Sequence, residues 1–167
     1  MKYNSILAIS VSLISLLIIT SCDKDDNGPA YNFKDQILQG SIEGKAFVMK
    51  DGYFEESFFD ETEYSIEIHD ENEPEDACAV FSSEFPQVFF SVPKAVGLYK
   101  LKFDLANFSG RTVTLYDPDG SINNIAVAGA IEVLSISETT LTGRLDARMN
   151  KDNIINGNFT VIFCSPK

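Results

Sequence analysis

The stretch "YSIEIH", residues 64–69, decides the fold. Tyr64, Ile66 and Ile68 alternate with Ser65, Glu67 and His69. Successive side chains of a strand point to opposite faces, so this period of two predicts one face on a core and one face in water. His69 falls on the wet face beside Glu67 and is expected to be exposed. The same grammar extends in both directions. Residues 37–42 and 45–49 flank Glu43-Gly44, a hairpin signal in which glycine supplies a positive φ. Residues 77–82 and 87–92 read as two strands around Glu84-Phe85-Pro86. Residues 98–105 alternate again, and residues 111–116 run into the turn Asp117-Pro118-Asp119-Gly120. Residues 125–136, 139–149 and 154–163 complete the chain.

The expected architecture is therefore all-β, with about ten strands over residues 35–167. Short loops between consecutive strands imply antiparallel pairing. Two packed layers, an antiparallel β-sandwich, are the expected solution, with a small β-barrel as the alternative. Gly129, Gly143 and Gly157 sit inside strand-like runs and are expected to mark bulges or sharp bends. Residues 51–64, "DGYFEESFFDETEY", interleave aromatics with acids and admit a short helix, a loop or an edge strand.

The chain has 167 residues, 13 phenylalanines and 6 tyrosines, enough for one aromatic-rich core. Its net charge of −12 is expected to repel nucleic acid and bare anionic lipid, so no nucleic-acid partner is expected. Residues 1–21 carry Lys2 and no acid, with an apolar run over residues 6–19. That is the pattern of a cleaved signal peptide rather than a membrane span, because the run is short and no basic cluster comes after it. Residues 22–34 are acidic and lack apolar periodicity, as a flexible tether would.

Ile19-Thr20-Ser21-Cys22 resembles the bacterial lipobox: a branched apolar residue, two small residues and a cysteine. The resemblance implies a diacylglyceryl group on Cys22 and cleavage just before it. Cys22-Asp23-Lys24-Asp25-Asp26 resembles the surface-export signal of Bacteroidota lipoproteins, with Lys24, Asp25 and Asp26 as its charged positions. Asn156-Gly157-Asn158-Phe159-Thr160, the late Cys164 and the early "GSIEGKAF" are similar to small uncharacterised lipoproteins of the same phylum. These resemblances imply an outer-membrane protein, lipid-anchored and facing the cell exterior, with a periplasm-facing protein as the alternative. The family carries no activity over. Export leaves Cys78 and Cys164 as an even pair in an oxidising compartment, where a disulfide is expected and two buried thiols are the alternative. Closing a loop of that length is worth roughly 4–5 kcal/mol in the chain-entropy model.

Catalytic constellations are thin. His69 is the single histidine, no G-x-S-x-G elbow exists, and a histidine-based zinc site needs more ligands than this one residue supplies. "DPDGSINN" contains Asp117, Asp119 and Gly120, but aligning it with a calcium loop puts Leu115 at the first ligand and Ala126 at the closing glutamate. A tight turn fits it better. The acidic run of residues 70–76 is expected to be a solvated loop. No cofactor and no metal are expected. The candidate ligand contacts are Tyr53, Phe54, Phe58 and Phe59, taken as a lid or rim with Tyr53 as the exposed ring. The function expected is a lipid-anchored binding or accessory module of the cell envelope, without enzyme activity, whose partner is a glycan or an envelope protein. Two alternatives remain: a glycan-active enzyme using two carboxylates, and a calcium-binding structural lipoprotein.

Overall fold

The structure, a computed structural model, describes residues 31–71, 78, 84–120 and 123–165. The lipobox, Cys22, Lys24, Asp25 and Asp26, most of the acidic run and the strand expected at residues 77–82 lie outside the described residues, apart from Cys78. Within them the chain is all-β, as its alternation requires. In chain order the strands are β1 (Gln39–Ile42), β2 (Lys45–Val48), β3 (Asp51–Glu56), β4 (Glu63–His69), β5 (Gln87–Pro93), β6 (Gly97–Lys100), β7 (Lys102–Asp104), β8 (Ser109–Arg111), β9 (Val113–Tyr116), β10 (Asn124–Ala126), β11 (Ala128–Ile136), β12 (Thr140–Asn150) and β13 (Asn153–Phe163).

Among the described residues thirteen strands stand where about ten were expected: residues 51–56 form β3, residues 109–116 hold both β8 and β9, and two long apolar runs change partner partway. Residues 125–136 divide at Val127, where the chain leaves β9 for β12. Residues 98–105 divide at Leu101, between β6 on β11 and β7 on β8. One curled sheet holds eleven strands in the order β10-β9-β5-β4-β3-β13-β12-β11-β6, with β1 and β2 branching from β13. The sheet folds over, so that β10 lies against β12 and β13 and both halves share one core. Ile66 and Ile68 of β4, Val88, Phe90 and Val92 of β5 and Leu115 of β9 face Leu141, Leu145, Phe159 and Val161 of the other half. Phe90 and Phe159 meet edge to face across it, with ring centroids 5.7 Å apart.

The antiparallel rule fails at one pair. β3 and β13 run parallel, with Tyr53 opposite Ile162 and Phe54 opposite Phe163. The rule constrains strands joined by short loops, and these two are far apart in the chain. β13 is the strand the sheet is built around. One edge pairs with β12 along its length; the other is divided between β1, at residues 154–156, and β3, at residues 162–163. Between them the incoming chain fills the gap. Asn158 donates its N–H to Gln36 O at 2.7 Å, and its carbonyl accepts from Leu38 N at 2.8 Å. Asn32 N and Lys34 N donate to Asp146 Oδ2 and Asn156 Oδ1 at 2.8 and 2.9 Å, so this part of the expected tether lies on the domain. Cys164 N donates to Phe54 O at 2.8 Å, and Cys164 is disulfide-bonded to Cys78, fastening the far end of the strand.

The Glu43-Gly44 hairpin forms as expected, both residues taking positive φ (51° and 76°) as a two-residue type I′ turn demands. Asp117 and Asp119 form the expected turn, and Lys45 from β2 bridges their carboxylates, each at 2.9 Å. Burial pushes the Asp117 carboxyl up, but hydrogen bonds from Lys45 and the Asp119 N–H outweigh it and hold it below the usual aspartate value. The register shifts in β11 and β12 fall at Leu134 and Met149; the first adjoins the Val133–Gly143 pair, so Gly143 borders a bulge as expected, while no shift falls at Gly129 or Gly157. The glycines also answer close approaches. A Cβ on Gly143 would lie 2.5 Å from the Phe159 ring, and one on Gly157 (φ 142°) would lie 2.6 Å from Ile37 O.

Gly157 and Gly44 make a controlled comparison. Both have positive φ, but nothing lies within 4 Å of a Cβ at Gly44. Gly44→Ala is expected to cost about 1–2 kcal/mol, the left-handed penalty alone. Gly157→Ala adds a backbone clash and is expected to cost at least about 1 kcal/mol more. Equal losses in chemical denaturation would contradict the crossing of residues 36–37 over β13.

Candidate functional site

Alternation that sends Ile66, Val88 and Leu115 into the core sends their neighbours to the opposite face of β3, β4, β5 and β9. Antiparallel register aligns those neighbours in rows. Asp51, His69, Gln87 and Tyr116 form one; Tyr53, Glu67, Phe89 and Thr114 form the next; Glu55, Ser65 and Ser91 form a third. This outer face floors a cleft of about 860 Å³. Its rim is built from Phe58 and Phe59 in the β3–β4 loop and from Gly110 and Arg111 at the end of β8.

The four aromatic candidates separate. Phe54 points inward and is core, packed edge to face on Tyr64 at 5.0 Å, so it is withdrawn as a ligand contact. Tyr53 was expected to be the exposed ring and is only 9% exposed. The parallel pairing with β13 and the neighbouring His69 ring, 6.1 Å away, enclose it, and its hydroxyl donates to Glu67 Oε2 at 2.8 Å. It still lines the cleft. Phe58 and Phe59 are the exposed rings, at 93% and 94%. They meet edge to face at 5.4 Å, in a loop whose turn is held by Asp60 Oδ1 accepting from Thr62 N. The segment is thus a strand leading to a rim, with no helix.

His69 is also corrected. It lies on the outer face as alternation requires, yet it is 1% exposed. Tyr53 stacks against it, and its Nε2 is 3.5 Å from Glu67 Oε1. Burial pushes its pKa below the usual 6.5, outweighing Asp51 and Asp70, which act upward. The imidazole is therefore neutral at pH 7.

Arg111 sets the opposite wall. Its Nη1 donates to Ser91 O at 2.6 Å, capping the β5 edge beyond the reach of β9. Its Nη2 meets Glu63 Oε1 at 2.8 Å, and the guanidinium lies 5.2 Å from the Tyr99 ring centre. Sequence reading missed Arg111, Phe89, Glu67 and Tyr116. Phe89 had a signal, since it is the outward position of an apolar run whose neighbours Val88 and Phe90 face the core. The others needed the register. Chemically, the site offers aromatic faces, hydroxyls and amides for binding. Two of its three carboxylates, Glu63 and Glu67, are held by Arg111 and Tyr53. Among the described residues, no group of three or more His, Cys, Asp or Glu side chains could hold a metal ion.

No protein family, curated protein or solved structure matches the chain.

The buried histidine makes stability depend on pH. A folded-state pKa below the unfolded value means the unfolded chain binds the extra proton first. This contribution is present above about pH 6.5 and is lost as pH falls towards the folded value. Denaturation midpoints are expected to fall between pH 7 and pH 5, and His69→Gln is expected to flatten that slope. An unchanged slope in the variant would place the titrating group elsewhere.

Proposed function

We propose that the protein is a lipid-anchored binding module of the cell envelope, facing outward, that holds a small ligand in the cleft over β3, β4, β5 and β9 without transforming it. The observation that carries this reading is the cleft itself. Tyr53, Phe89 and Tyr116 contribute rings to its walls beside Ser65, Ser91, Thr114 and Gln87, and Phe58 and Phe59 stand open to solvent above. Adjacent exposed phenylalanines are unfavourable in water and are the usual mark of a contact site. Aromatic faces interleaved with hydroxyls and amides suit a small polar molecule with an apolar side, a description that includes glycans.

Attachment rests on the lipobox-like residues 19–22, and outward display on Lys24, Asp25 and Asp26. The Cys78–Cys164 bond supports an oxidising compartment. At about 0.8 kcal/mol per buried CH₂, two or three acyl chains on Cys22 hold a protein on a membrane stably.

The anchor is tested by mass spectrometry of protein extracted from membranes. The expected N-terminus is an acylated Cys22, and Cys22→Ala is expected to remain uncleaved by the lipoprotein peptidase. An unmodified mature N-terminus would end the lipoprotein reading. The cleft is tested by screening glycans and small metabolites against the protein and its Phe59→Ala variant. Because Phe59 is exposed, its removal is expected to leave the melting temperature within about 2 °C, a change under about 0.5 kcal/mol, while weakening ligand capture about tenfold, the loss of one ring contact. Turnover of a glycan that disappears in Glu67→Gln would replace the module with the carboxylate-dependent enzyme.

A further inference from the structure

The charges around the cleft narrow the ligand class. Four ionisable side chains of full charge line it among the described residues: Glu55, Glu63, Glu67 and Arg111. Arg111 is the one cation of these four, and its charge is already paired. It caps Ser91 O, pairs with Glu63 and lies over Tyr99. A carboxylate or phosphate on a ligand would have to share this guanidinium with Glu63. The nearby Lys94 is likewise committed to Glu56 and to the Tyr64 ring, 5.1 Å from its centre. Glu55 is only partly exposed, and among the described residues no lysine or arginine pairs with it. The charge balance inside the cleft is therefore negative, on a chain of net charge −12.

The rings add to this field. An aromatic face carries negative potential, and a cation within about 6 Å of a ring centre is attracted to it, more strongly as water is excluded. Tyr53, Phe89, Tyr116, Phe58 and Phe59 supply such rings from the floor to the rim. An anionic ligand would meet acids and ring faces here, with the lining guanidinium already paired to Glu63. A neutral ligand would leave the Glu55 charge unused and, once seated, partly desolvated.

From the cleft's charge balance and its aromatic walls we infer that the ligand is an organic cation, an ammonium or guanidinium on a carbon frame, seated against the rings with its charge towards Glu55. This rests on the cleft being the binding site. The apolar frame lies on Phe89 and under Phe58 and Phe59, and the acidic chain raises the local concentration of cations at the entrance.

The test is isothermal titration of the full chain in neutral detergent with choline, with spermidine, and with 3,3-dimethylbutan-1-ol, the uncharged isostere of choline. At least one of the two cations is expected to bind, and choline to bind at least about fivefold tighter than its isostere if it is the one that does. Affinity is expected to fall severalfold between low and high salt, as partly screened charges require. Glu55→Gln is expected to weaken cation binding about fivefold, and Phe59→Ala to weaken it similarly; both side chains lie at the surface, and matched melting curves exclude unfolding. Failure of both cations to bind, equal binding of choline and its isostere, or cation binding unaffected by either variant would each overturn the inference. A neutral glycan that binds and is lost in Phe59→Ala would overturn it while leaving the binding module intact. If no cation, glycan or metabolite is sensitive to Phe59→Ala, the inference and the binding module fall together.

Discussion

Everything in this fold depends on how the second edge of β13 is satisfied. A buried strand must pair its N–H and C=O groups on both sides, because an unpaired buried backbone group costs free energy comparable to a lost hydrogen bond. β12 supplies one side. No single strand supplies the other: β1 takes residues 154–156, β3 takes residues 162–163, and the incoming segment passes over Gly157 between them. The division makes the sheet branch. β1 and β2 leave in one direction and β3, β4, β5, β9 and β10 in the other, and the second branch must curl to bring its apolar face onto the core. The Cys78–Cys164 bond and the Cys164–Phe54 hydrogen bond hold the place where that branch departs.

The candidate site is a consequence of this curl. Residues of period two on β4, β5 and β9 send one set inward, so the complementary set is free of core duty and lies in register across four strands. Glutamates, serines, threonine, tyrosines and Phe89 gather there because the core does not use that face. The same parallel contact that starts the branch encloses Tyr53, which in turn covers His69. The burial of that imidazole and the shape of the cleft floor therefore share one cause.

Much of this was legible in the residues. The alternation of residues 64–69 gave β4 and its two faces correctly, Glu43-Gly44 gave the first hairpin, and the cysteine count gave the disulfide. Alternation reports direction, however, and is silent on cover. His69 and Tyr53 point outward as read, yet both are buried by neighbours that pairing across the sheet brings in. Phe58 and Phe59 were grouped with Tyr53 and Phe54 because the four are close in sequence. The end of β3 at Glu56 separates them into floor, core and rim. The parallel β3–β13 pair had no local signal at all, since it joins segments from opposite ends of the chain. The glycines were read as bulges or bends; Gly143 does border a bulge, but Gly143 and Gly157 also make room for a ring and for a crossing chain, which local sequence does not report.

The central claim is that the outward face of β3, β4, β5 and β9 is the working surface of the molecule. Amide chemical-shift mapping of the isotope-labelled protein, titrated with whichever ligand binds it, tests this most directly. The account predicts shifts concentrated at Glu55, Ser65, Glu67, Phe89, Ser91 and Thr114, with the exposed face of β1 and β2 unchanged. Shifts centred instead on Gly40, Ser41 and Ala46, which line a smaller groove across that other face, would contradict it.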